Sequence, residues 1–131
     1  MIAKEILTLA KTKISNRKNW CKISAAKKKQ TENVEQIGGK FTFDGFICCD
    51  AKDPEACQWC ASGAVDNVIP TGTYHQNSKA RQKALIALDL SCPEYSIISF
   101  NDNRYTSHNE IMDVFDKAIE IVDTVHIENS N

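Results

Sequence analysis

The amino-acid sequence predicts a mainly α (α+β) fold: three to four helices with a small β-hairpin near residues 41–48, packed as a single domain over residues 1–131. Three observations carry this. Ile111, Val114, Phe115, Ala118, Ile119 and Val122 repeat at helical spacing behind Ser107 and Glu110, which form a capping box. Ile2, Ile6, Leu9 and Ile14, widened by Leu7 and Ala10, give a second helical stripe near the N-terminus. Phe41-Thr42-Phe43 and Phe46-Ile47-Cys48 flank Asp44-Gly45, a pair suited to a two-residue turn because glycine accepts positive φ.

Taken in order, residues 2–18 form the first helix, and Trp20 folds back onto the core. Residues 24–40 are polar, lysine-rich and end in Gly38-Gly39, which reads as a loop with at most a helical turn at Ala25 to Lys29. After the hairpin, Asp53-Pro54 opens a helix that runs through Trp59 and Cys60 to about Val68, with Ala56, Cys60, Gly63 and Ala64 on one small-residue face. A third helix spans 77–90 on a stripe of Ala80, Ala84, Leu85 and Leu88, and Pro93 stops it. Tyr95 to Phe100 is read as extended and Asn101-Asp102-Asn103 as a turn. The last helix covers 107–123, and residues 125–131 are read as a frayed tail.

Composition bounds the function. A hydrophobic fraction of 42% and a charged fraction of 25% are ordinary for a globular chain. Lysines at 4, 11 and 13 break the opening stretch before it could serve as a signal peptide, and no apolar run approaches a membrane span. A cytoplasmic location without membrane contact is therefore expected, with the six cysteines as reduced thiols or metal ligands. Charge is uneven: residues 1–40 carry ten Lys/Arg against three Asp/Glu, and residues 41–131 carry six against fourteen. A basic first helix should lie against the acidic last one.

The sequence resembles a family of short uncharacterised proteins, a domain of unknown function, found in bacteria and their phages. Asn19-Trp20-Cys21 is similar to the family's Gly-Trp-Cys at the end of its first helix. Asp44-Gly45, Asp53-Pro54 and Trp59-Cys60-Ala61-Ser62-Gly63-Ala64 resemble its turn and its Asp-Pro-led helix. Phe100-Asn101-Asp102 with Thr106 matches its Trp-Asn-Asp and Thr motifs, apart from Phe100 in place of Trp. The resemblance implies a fold and a bacterial or phage origin. It supplies no mechanism.

Four constellations bear on chemistry. Cys48, Cys49, Cys57 and Cys60 form a CC-x7-C-x2-C pattern that could hold structural zinc, since thiolates bind it tetrahedrally. Against this, adjacent cysteines in a strand point to opposite faces. Cys60 with His75 or His108 as base and Asn101 or Asp102 as orienting group would make a cysteine nucleophile. Trp20, Asn101, Asp102 and Thr106 are candidates for ligand or partner contact, although Asn and Asp in turns more often satisfy backbone amides. Lys27, Lys28 and Lys29 could touch nucleic acid, but no aromatic residues interleave them as stacking platforms. The reading that fits best is a non-catalytic accessory or interaction protein without a cofactor, acting on an unknown protein partner in the host cytoplasm if phage-encoded. A Cys60 enzyme and a zinc-stabilised module with weak nucleic-acid binding are the alternatives.

Overall fold

A computed structural model describes residues 1–30 and 45–127. The first helix, α1, spans Ala3–Lys13, and a 3-10 turn follows at Arg17–Asn19. Three strands come next: β1 (Ala26–Lys29), β2 (Phe46–Cys49) and β3 (Ala56–Trp59). Four more helices complete the chain: α2 (Ala61–Val68), α3 (Ser78–Leu90), α4 (Ile97–Asp102) and α5 (His108–Ile121). A 3-10 turn at Val122–Thr124 extends α5.

The helices pack around one apolar cluster. α1 lies against α2, α3 and α5, and α3 against α5. Ile6, Leu7, Ile14, Val65, Ile69, Leu88, Ile111, Phe115 and Val122 are fully buried there. Each such side chain contributes about 1.5–3 kcal/mol by leaving water. The α5 stripe is as the periodicity predicts, and the capping box between Ser107 and Glu110 is present. The α1 stripe is rotated: Ala3, Ile6, Leu7, Ala10 and Ile14 face inward, whereas Ile2 and Leu9 are exposed. The expected charge match holds on the surface, where Lys11 reaches Asp116 at 2.5 Å and Lys4 reaches Asp123 at 3.8 Å. Exposed pairs of this kind are worth under about 1 kcal/mol each.

The sheet departs most from the sequence expectation. β1 lies within the stretch read as a loop, and it is the central strand of the order β2-β1-β3, antiparallel to both neighbours. A lysine run can occupy this central strand because only its first residue, Ala26, enters the dry core, while Lys27 and Lys28 are half-buried and Lys29 is exposed. Ala26 is fully buried, and Lys28 turns its ammonium toward Asp53 (3.2 Å) and Glu55 (3.7 Å). Of the expected hairpin, residues 41–44 lie outside the described residues, while β2 and the positive φ of Gly45 lie within them.

The second helix is shorter than expected. Asp53-Pro54 does not start it: Asp53 accepts from the Glu55 amide through its side chain and from the Ala56 amide through its carbonyl, a turn that feeds β3. Trp59 therefore ends a strand, and Cys60 caps α2. The 95–100 segment is corrected in the opposite sense. Ser96 caps the Ser99 amide, so α4 begins at Ile97 and absorbs Asn101 and Asp102 into its last turn. Val125, placed in the frayed tail by the sequence, is buried.

Candidate functional site

The segment between α1 and β1 crosses the first turn of α2 and the end of α4. Its position is set backbone to backbone: Cys21 donates to the Trp59 carbonyl (3.1 Å), and Cys60 donates to the Ala25 carbonyl (3.1 Å). The approach is close because Gly63 has no side chain. A Cβ at that position would sit 1.9 Å from the Ala25 oxygen.

Asn101 joins the parts. Its Oδ1 accepts from Trp20 Nε1 (2.7 Å) and from the Ala61 amide (3.0 Å). Its Nδ2 donates to the Cys21 carbonyl (3.1 Å) and to Asp102 Oδ1 (3.0 Å). Asn101 is 2% exposed, so this amide group is fully used inside the protein. Asp102 Oδ1 also accepts from the amide of Ile23 (2.7 Å), which holds the unusual φ of 71°. A β-branched residue in the left-handed region is strained by about 1–3 kcal/mol, and this bond helps to offset it.

Trp20 and Thr106 then border a cleft of about 360 Å³ together with Arg17, Lys22, Arg104 and His108. Lys22 is fixed by the carbonyls of Asn103 (2.6 Å) and Thr106 (2.7 Å), and its ammonium lies 5.3 Å from the Trp20 ring centre. His108 bonds through Nε2 to the Ile14 carbonyl (2.7 Å), which can only accept, so Nε2 is the protonated nitrogen. The Trp20 and His108 rings meet at 5.7 Å, tilted by 53°.

Across the 103–106 loop lie two adjoining hollows of about 270 and 290 Å³ that share Pro93, Phe100 and Glu110. Glu94 and Tyr105 border the first, and Asp113 and Lys117 the second. Tyr105, on the wall of the first hollow, is 78% exposed, while Tyr95 and Ile98 are exposed but line neither hollow.

The residues proposed for chemistry are dispersed differently. Cys60 is buried, and its sulfur accepts from the Gly63 amide (3.2 Å) and meets Ser62 Oγ at 3.3 Å. It thus sits at the first turn of α2 and not two turns inside a helix. Neither histidine hydrogen-bonds it: His108 is engaged by Ile14, and His75 is exposed in the loop before α3. Cys48 is exposed and Cys49 half-buried on adjacent positions of β2, with Cys57 on β3. Among the described residues, no three His, Cys, Asp or Glu side chains come together as a metal-holding group. Burial pushes the Cys21 thiol up to about 12, with the neighbouring Cys60 adding to it, and burial takes Cys92 to about 11.

A family profile described as a family of unknown function, DUF6197, matches residues 2–121. The chain belongs to that family. No curated protein and no solved structure matches this DUF6197 chain. No helix among its described residues is long and apolar enough to cross a membrane. Sequence reading alone missed Arg17, Lys22 and Arg104, which look like solvated charges until the fold brings them to Trp20. It also missed the Phe100 groove, because Tyr95 to Phe100 reads as an extended segment in the sequence.

Proposed function

We propose that this chain is a non-catalytic interaction protein, an accessory protein of bacterial or phage origin that docks a segment of a host protein on its α3–α4–α5 face. The observation that carries the reading is the groove over Phe100 and Pro93, with Tyr105 exposed on its wall. Large apolar side chains left in water beside a hollow mark contact surfaces. Glu94, Glu110 and Asp113 border the groove against a single cation, Lys117, so its occupant is a segment with an apolar anchor beside a Lys or Arg. Thr106, a candidate contact from the sequence, lines the first hollow.

Selection of a displayed peptide library against the intact chain, counter-selected against a Tyr105→Asp variant, tests this. Enriched peptides should pair an apolar residue with a basic one, and Glu94→Gln/Asp113→Asn should weaken them. Absence of enrichment, or an acidic consensus, overturns the reading. Native-state alkylation addresses the alternative: labelling of Cys60 as fast as exposed Cys48 would favour the cysteine enzyme.

A further inference from the structure

We infer that the cleft between Trp20 and His108 is a binding site for a small phosphorylated ligand, one carrying a phosphomonoester or pyrophosphate group. Three cations line it, Arg17, Lys22 and Arg104, and no carboxylate does among the described residues, the nearby Glu110 carboxylate feeling the Lys22 charge from outside the lining. Elsewhere Lys4, Lys11, Lys28 and Arg81 each pair with an acid. Arg17 and Arg104 form no ion pair with any carboxylate among the described residues. Two guanidinium forks beside a fixed ammonium suit the three oxygens and roughly two negative charges of a phosphomonoester better than they suit a single carboxylate.

The floor is already built. Trp20 is held by Asn101, Lys22 by two carbonyls, and His108 by the Ile14 carbonyl. A ligand therefore finds its aromatic wall and central charge in place, which lowers the ordering cost of binding. Arg17 and Arg104 line the cleft beside them, the Arg104 guanidinium 4.8 Å from the Tyr105 ring centre. Ser107 and Glu110 occupy one another at the start of α5, so the attraction rests on the side-chain cations. The volume, about 360 Å³, lies within the range of small-molecule sites. Lys28, the middle of the basic run on β1, is engaged by Asp53 and Glu55, which favours a compact ligand over a polymeric nucleic acid.

Pyrophosphate and inorganic phosphate, titrated at low and constant ionic strength, provide the test by amide chemical shifts and by thermal melting. Saturable shifts at residues 20–22 and 104–109, with a raised Tm, are expected. Arg17→Gln and Arg104→Gln should each weaken pyrophosphate about tenfold or more while leaving the unliganded Tm unchanged, since both side chains are exposed. Added sodium chloride should weaken binding further. No saturable response at millimolar pyrophosphate, or an equal response in the Arg17→Gln/Arg104→Gln double variant, overturns the inference. So does binding of a single-stranded oligonucleotide with no response to pyrophosphate.

Discussion

Replacing Gly63 by alanine sets two effects of opposite sign against each other. Helix propensity alone favours the change: alanine is better than glycine in a helix by about 1 kcal/mol. The structure opposes it. The new Cβ would lie 1.9 Å from the Ala25 oxygen, where real Cβ atoms stay beyond 3.0 Å, so the Ala25 carbonyl must retreat by roughly 1 Å. That carbonyl accepts from the Cys60 amide at 3.1 Å, so the bond stretches past hydrogen-bonding range. A buried amide left unpaired costs about 1–3 kcal/mol. The retreating strand also pulls on the Cys21 to Trp59 bond and on the Asn101 bonds that hold Trp20. With strain added, the opposing effects reach about 3 kcal/mol, leaving a net loss of about 2 kcal/mol. For a chain of this size that lowers Tm by roughly 7 °C. Urea unfolding followed by far-UV circular dichroism and tryptophan fluorescence reads the loss. A Gly63→Ala protein as stable as the parent, or more so, refutes the close approach of the 20–25 segment to α2. The same displacement would carry Trp20 and Lys22 with it, so pyrophosphate affinity should fall in parallel.

Asn101→Leu should cost about 3 kcal/mol or more in urea unfolding, because it strands Trp20 Nε1, the Ala61 amide and the Cys21 carbonyl together. A loss under about 1 kcal/mol would show that water replaces these bonds freely. The raised thiol of Cys21 sets an alkaline limit to stability. Its folded pKa, about 12, exceeds the ordinary 9.0, so the folded state keeps the proton that the unfolded chain gives up. The stabilisation is complete below pH 9 and is lost between pH 9 and about 12, at up to roughly 1.4 kcal/mol per pH unit. Cys21→Ala should flatten that limb of a stability–pH curve, and an unchanged slope counts against the burial of this thiol. On the acid side, the Ser107 amide and hydroxyl hold the Glu110 carboxyl below its ordinary value of 4.5. Its support for α5 is present above that value and fades as pH falls through the folded pKa. Glu110→Gln should therefore lower Tm near neutrality and converge on the parent in acid. Ser107→Ala should cost about 1 kcal/mol as the loss of a helix cap.

What the sequence made legible follows from how local its signals are. The α5 stripe and its capping box are set by neighbours within two turns, and both were readable. The same holds for α3 between residues 78 and 90. The strand β1 was not readable, because a run of lysines becomes a central strand only when Asp53 and Glu55 arrive from another part of the chain to meet Lys28. Asp53-Pro54 was ambiguous for a related reason: an aspartate that caps a helix uses the same side-chain bond to form a turn into a strand. The candidate site was half visible. Trp20, Asn101, Asp102 and Thr106 stood out as polar or aromatic residues near element ends, and the fold does bring them together. Their partners Arg17, Lys22 and Arg104 come from segments about 80 residues apart, and no local spacing connects them.

The change from helix to strand at Trp59 alters what Cys60 can do. Inside a helix it would be one small residue on a packing face. At the cap of α2 its sulfur receives the Gly63 amide, a place where a helix favours negative charge. That position alone would invite a reactive thiolate. The surroundings oppose it: the sulfur is buried beneath the 20–25 segment, it meets a serine hydroxyl, and no histidine bonds to it. The bond that makes Cys60 look like a nucleophile is accounted for by structure, since it satisfies one of the free amides that begin every helix. Gly63 and Ala25 seal this corner, and Asn101 ties it to Trp20. The residues at the corner thus serve to fix Trp20 in place. The exposed chemistry of the molecule lies one layer outward, in the cations around Trp20 and the apolar groove over Phe100.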